Sequence, residues 1–247
     1  MRAIDWNVTA RMGAPYVRRY HEDREVTAQF VCDLSPSVDF GTQTRTKRAL
    51  VAEVVGVLSR ILTRSGNRVG AVVFDGVGQR VVPAGSGRLQ VLRILEELSR
   101  TPHRRRAPFT PLGDVLAAAA GALKRRSVVF VVSDFLAAPG WERPLGALAL
   151  RHDVIALRVR DPREHELPDV GWVVLDDAET GEQLLVDTHD GSFRERFRSV
   201  IARHEERLRA AFARAGVDVM TLETEGDLVR DIVRFASLRR ARRARRN

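Results

Sequence analysis

Residues 25–41 read EVTAQFVCDLSPSVDFG, and the fold turns on how this stretch is interpreted. The apolar run Val26–Cys32 stops at Asp33 and gives way to Ser35, Ser37 and Asp39. A run of β-branched and aromatic residues closed by a carboxylate, with hydroxyls at alternate positions after it, predicts a buried strand that delivers ligands at its carboxyl end. Asp33, Ser35 and Ser37 offer only hard oxygen donors, the chemistry that magnesium or manganese prefers.

Working outward, Thr46–Arg64 spaces Leu50, Val54, Leu58, Ile61 and Leu62 at helical intervals, and Ser65-Gly66-Asn67 predicts a left-handed C-cap. Arg68–Phe74 is a second continuous apolar strand, ending at Asp75, and Gln79–Val82 reads as its antiparallel neighbour at a sheet edge. Leu89, Leu92, Leu95 and Leu98 give the apolar face of a second helix. A basic loop, Thr101–Pro108, leads to Thr110-Pro111, a helix-start signal, and that helix is expected to run to about Lys124. Ser127–Val132 is the third long apolar strand and ends in Ser133-Asp134. A helix near Trp141–Leu150 and a strand over Asp153–Val159 follow, then a β-hairpin excursion at about 161–190 with strands Trp172–Leu175 and Gln183–Val186. Ser192–Ala215 predicts a long helix with Phe193, Phe197, Ile201, Leu208 and Phe212 on one stripe. A last strand, Val217–Leu222, and a helix over Asp227–Leu238 complete the pattern.

Strands alternating with helices imply right-handed crossovers and an α/β fold: a mostly parallel, Rossmann-type sheet with helices on both faces. Continuous rather than alternating apolar strands agree with burial on both sides. Three parts are expected: an N-terminal extension (1–24) packing on the domain, the α/β domain (25–238) and a basic tail (239–247). The chain opens in mid-pattern, so further sequence is expected upstream.

Composition sets the bounds. The chain has 247 residues, is 44% apolar and carries a formal charge of +9, of which six arginines lie in Arg239–Asn247. Those arginines predict a solvated helix end, with contact to nucleic acid or an anionic membrane surface through Arg239–Arg246 as the sharper alternative. Arg104–Arg106 raise the same choice. The single cysteine, Cys32, reads as a small buried hydrophobe. Six histidines show no zinc spacing, and there is no phosphate-binding GxxxxGK[ST] loop and no G-x-S-x-G elbow. No apolar stretch approaches the ~20 residues of a membrane span, and no secretory signal is visible. A soluble cytoplasmic protein is the expectation.

In sheets of this kind ligands bind at the carboxyl ends of the strands. Asp33, Ser35 and Ser37 from the first strand, Thr110 from the loop before a helix and Asp134 from a later strand all fall at that rim. They form a candidate site for a divalent cation, Mg2+ or Mn2+. Binding largely through neutral hydroxyls would leave charge on the ion for one further anionic ligand. Each residue also has a plainer explanation: Ser35 and Ser37 as turn or helix caps, Thr110 as an N-cap before Pro111, Asp134 as a loop residue. Asp39 and Asp75 read as turn residues rather than ligands.

Asp33-x-Ser35-x-Ser37, Thr110 and Asp134 resemble the metal-ion-dependent adhesion site of von Willebrand factor A domains. Ile4-Asp5-Trp6, Ala10-Arg11, Tyr16-Val17-Arg18, the Glu22–Glu25 charge cluster, Gly66–Phe74 and Ser133-Asp134-Phe135 further resemble the domain-of-unknown-function-58 family. That resemblance implies a bacterial von Willebrand A-like domain, with a MoxR-type AAA+ ATPase or its client protein as partner. It implies a non-catalytic interaction module, with no small-molecule substrate, that binds a partner's acidic side chain through the metal. A magnesium-dependent phosphoryl-transfer or hydrolytic enzyme built on Asp33 is the alternative, although Ser35 stands where such phosphatases would carry a second aspartate.

Overall fold

The computed structural model describes residues 3–4, 11–12, 17–18, 25–41, 45–103, 112–176 and 182–244. Strand β1 (Ala3–Ile4) pairs antiparallel with β2 (Val17–Arg18) in a small separate sheet. The principal sheet has six strands: β3 (Thr27–Asp33), β4 (Arg68–Phe74), β5 (Gln79–Gly85), β6 (Val128–Ser133), β7 (Asp153–Arg160) and β10 (Asp218–Glu223). Their order is β10-β7-β6-β3-β4-β5. All neighbours are parallel except β4 and β5, so this is the mostly parallel α/β sheet expected from the sequence.

Helices cover both faces. α1 (Lys47–Arg64), α2 (Gly87–Arg100) and α6 (Leu228–Ala244) pack on the face carrying Phe30, Cys32, Ala71, Val73, Val132 and Leu157. α3 (Leu112–Ala122), α4 (Glu142–Arg151) and α5 (Gly191–Ala215) cover the face of Val31, Val129, Val131, Val154 and Ala156. Both faces of the central strands are therefore dry, which is why they read as unbroken apolar runs. Phe30 stacks on Phe130 at 5.0 Å on one side, and Phe135, Trp141 and Phe212 interlock on the other.

Helix α1 shows the local logic well. The Thr46 hydroxyl accepts from the Ala49 amide at its start, and Ser65 caps its end before Gly66 turns at φ +77°. The Asn67 amide then returns to the Leu62 carbonyl, the closing bond of a left-handed C-cap. Cys32 is fully buried, and burial pushes its thiol pKa up, as befits a core residue. Strands β8 (Trp172–Asp176) and β9 (Gln183–Asp187) form the antiparallel hairpin excursion. Its tip, with the expected Glu179-Thr180-Gly181 turn, lies outside the described residues.

Three expectations need correction. The core face of α2 is Val91, Ile94 and Leu98 with Leu95 at its border, while Leu89 and Leu92 are exposed. On α5 only Leu208, Ala211 and Phe212 are buried; the Phe193–Ile201 portion of the stripe is only partly covered. Helix α6 continues through the expected boundary at 238 to Ala244, and the Arg239 guanidinium pairs with Asp153 and, at 2.7 Å, with Asp218. The first residue of the basic segment is thus tied to the bottom of the sheet; 245–247 lie outside the described residues. Among the described residues no helix is long and apolar enough to cross a membrane.

Candidate metal centre

The chain leaves β3 to build the β4–β5 side of the sheet, then returns to place β6 on β3's other flank. The crossovers diverge between β3 and β6, and it is at such a switch point, at the carboxyl ends of the strands, that sheets of this kind place their ligand cleft. Asp33 ends β3, and Ser133 ends β6 with Asp134 immediately after it. The sequence that follows β3 cannot continue as strand, because Pro36 starts a short 3-10 helix, Pro36–Asp39, with Ser35 as its N-cap residue. Its side chain makes no capping bond. Instead the Ser35 and Ser37 hydroxyls lie 3.2 Å apart and both are buried.

The carboxylates are held from behind. Asp33 Oδ1 accepts from the Ser35 amide at 3.0 Å, and Oδ2 from the Ser133 hydroxyl at 2.8 Å. Asp134 Oδ1 accepts from the Leu136 amide at 3.0 Å. Phe135, between them, has φ +59°, a conformation that a bulky residue adopts only when its surroundings enforce it. Its amide donates to the Ser133 hydroxyl, and its fully buried ring is locked by Trp141 and Phe212. The strain fixes where Asp134 emerges.

Two participants come from elsewhere. Lys47, first residue of α1, is completely buried and donates to Asp134 Oδ2 at 2.7 Å and to Glu164 Oε1 at 2.5 Å. Glu164 sits in a second 3-10 helix, Pro162–Glu164, where a capping box with buried Asp161 holds the segment against the rim. Asp161 Oδ2 in turn accepts from the Thr224 hydroxyl after β10. Burial pulls the Lys47 ammonium down, but Asp134 and Glu164 outweigh it and hold its pKa above the ordinary value. Burial likewise pushes Asp134 up, while Lys47, the Leu136 amide and the Ser37 hydroxyl together bring it below the usual carboxylate range. Among the described residues Asp33 has no such cation. Burial first and the Asp134 charge second raise it to about 6, against the bonds from Ser35 and Ser133.

The donor set suits a hard divalent ion. Neighbouring oxygens around magnesium at its usual bond length sit about 3 Å apart, close to the separation of the two serine hydroxyls. Three carboxylates and one ammonium leave the cluster two negative charges in excess, which one divalent cation neutralises. The cleft thus gathers four of the expected ligands, Asp33, Ser35, Ser37 and Asp134; Thr110 lies outside the described residues. No group of three or more His, Cys, Asp and Glu side chains poised for a metal occurs among the described residues, so any ion here would depend on hydroxyls. Asp75 is a turn residue that accepts from the Val77 and Gly78 amides, whereas Asp39 is bound by the buried Arg48 guanidinium, which also donates to the Leu34 carbonyl.

Lys47 and Glu164 had no local pattern to announce them. One signal was available: only two of the 41 basic residues are lysines, Lys47 and Lys124. That rarity does not by itself locate the site, because Lys124 shares it and makes none of the site's contacts.

Comparison with known proteins agrees with this architecture. Rv1480 of Mycobacterium tuberculosis is 39% identical over 244 residues, spanning 97% of this chain and 75% of the relative. A Mycobacterium avium protein is 44% identical over 163 residues, 64% of this chain and 94% of its own. Among solved structures, the conserved hypothetical protein BatB from Bacteroides thetaiotaomicron superposes with a TM-score of 0.57 at 14% identity, covering 87% of this chain and 98% of BatB. An aerotolerance-related membrane protein from Bacteroides fragilis gives 0.56, also at 14% identity, over 84% and 96%. At that identity the likeness concerns the fold alone. The model of the family described as "Protein of unknown function DUF58" matches residues 1–207, and this chain belongs to that family.

Proposed function

We propose that the chain is a protein-interaction module whose divalent cation, Mg2+ or Mn2+, receives an acidic side chain of a partner. Ser35 and Ser37 would bind the ion directly with Thr110, and Asp33 and Asp134 would lie beside it, directly or through water. The reading is carried by one observation: two serine hydroxyls and two buried carboxylates converge at the switch point of the sheet with uncompensated negative charge. The ion would supply an electrophilic point for a carboxylate. The protein's own groups keep that point fixed: Ser133 orients Asp33, the strained Phe135 turn fixes Asp134, and Lys47 keeps Asp134 ionised.

The partner we favour is a MoxR-type AAA+ ATPase or its client, on the strength of the family resemblance. Both oxygens of Asp33 already accept hydrogen bonds, which suits a positioned ligand better than a phosphoryl-accepting nucleophile. Binding of a purified MoxR-type ATPase should be measured by calorimetry with magnesium and with EDTA, using wild type, Asp33→Ala and Ser35→Ala. Loss of binding in EDTA and in both variants is expected. Equal binding in every arm would overturn the reading, and turnover of a phosphoester abolished by Asp33→Asn would favour the enzyme.

A further inference from the structure

The faces of α1 and α2 that turn away from the sheet do not close on each other. Gly56 of α1 lies so near α2 that a Cβ would stand 3.2 Å from Leu95. At this contact the two helices touch, and to one side they leave an open groove of about 790 Å³. Ala52, Gly56, Val57, Val91, Leu92 and Leu95 line it. The α1 lining residues recur at intervals of three and four, so the groove follows the helix from Ala52 to Arg64, roughly 18 Å at 1.5 Å per residue. Leu92 is half exposed within it, and Leu89 beside it is 72% exposed. These are the leucines that the core does not use.

The rim is cationic. Arg60 and Arg64 stand one turn apart on the α1 wall, and Arg88 lies at the start of α2. All three are exposed, and none has an ion-pair partner among the described residues. The single acidic lining residue, Glu53, is already paired with Arg45. An apolar trough along an antiparallel helix pair is the shape that receives a third helix. Its unpaired arginines fix the charge of that helix.

We propose that this groove docks an amphipathic helix of a partner protein, with leucine-like residues facing Val57, Leu92 and Leu95 and acidic residues along both flanks. The groove lies on the outer faces of α1 and α2 toward the α1 C-terminus, whereas Lys47 opens α1 at the cation cleft. The two surfaces are therefore separate, and docking here needs no metal.

The test uses the full chain with synthetic peptides of about 14 residues, enough helix to span the groove at 1.5 Å per residue. One carries leucines at a and d positions with glutamates flanking; its match carries lysines instead. Fluorescence anisotropy in EDTA should show the glutamate peptide binding at least tenfold more tightly, with NMR shifts at Gly56, Val57 and Leu92. Arg60→Glu with Arg88→Glu should reverse the preference, and Leu92→Asp, at a half-exposed site that leaves the core intact, should weaken the glutamate peptide tenfold. Equal binding of the two peptides, no binding of either, or shifts elsewhere would overturn the proposal. Concentration-dependent dimerisation abolished by Leu92→Asp would assign the groove to a second copy instead. Because every arm is in EDTA, failure here is distinguishable from failure of the cation site.

Discussion

Replacing Lys47 with methionine keeps the apolar stem and removes the one ammonium that faces Asp134 and Glu164. Asp134 is 3% exposed, so its charge cannot be returned to water without opening the rim. Removing one partner of a buried pair costs about 3–5 kcal/mol, because the other charge is left uncompensated. Here the lower end applies: Glu164 lies at the edge of the cleft, and Asp134 keeps the Leu136 amide and the Ser37 hydroxyl. A loss of about 3 kcal/mol corresponds to a drop of roughly 1 M in the urea midpoint for a chain of this size. The assay is urea unfolding in EDTA at neutral pH, repeated with magnesium. If the cleft accepts a divalent ion, magnesium should recover part of the loss, about 1.4 kcal/mol at ten times its Kd. A midpoint within roughly 0.2 M of wild type would refute the reasoning, since a change that small is typical of surface substitutions.

Three other measurements follow from the same structure. The Asp33 carboxyl rises from 3.8 to about 6 on folding, so its ionisation opposes folding: the penalty is absent below pH 4, grows through pH 6 and is complete above it. Asp33→Asn should therefore match wild type at pH 4 and exceed it by up to about 3 kcal/mol at pH 8 in EDTA; equal stability at pH 8 would contradict this. Phe212→Ala removes the ring that contacts both Phe135 and Trp141, and should cost about 3–5 kcal/mol in thermal or urea unfolding. Arg239→Ala, which removes the guanidinium that bridges Asp153 and Asp218 at the base of the sheet, should lower stability by about 1 kcal/mol, where a purely solvated tail residue would show no change.

How much was legible in advance varies with the range of the interaction. β4 occupies the expected Arg68–Phe74, and β3 ends at Asp33, because a continuous apolar run between polar breaks is a local property of the chain. The cap at Ser65-Gly66-Asn67 was legible for the same reason: its hydrogen bonds close within five residues. On α2 the leucine spacing misled, since Leu89, Leu92, Leu95 and Leu98 fit one helical stripe as well as Val91, Ile94 and Leu98 fit another. Which stripe is buried depends on the angle at which α1 and the sheet meet the helix, and no residue of α2 encodes that.

The sequence alone determined that Asp33, Ser35, Ser37 and Asp134 fall at strand ends, and alternation of strand and helix made those ends neighbours. What faces them is set by packing between distant elements. Lys47 meets Asp134 across 87 positions of chain and Glu164 across 117, and a charge paired at that distance looks, in sequence, like any other charge at a helix start. Strand and helix signals follow from neighbouring residues, whereas the partner of a buried ion is set by how whole elements pack. The segment 25–41 supplies two hydroxyls and one carboxylate; folding surrounds them with the Lys47 ammonium and the carboxylates of Asp134 and Glu164.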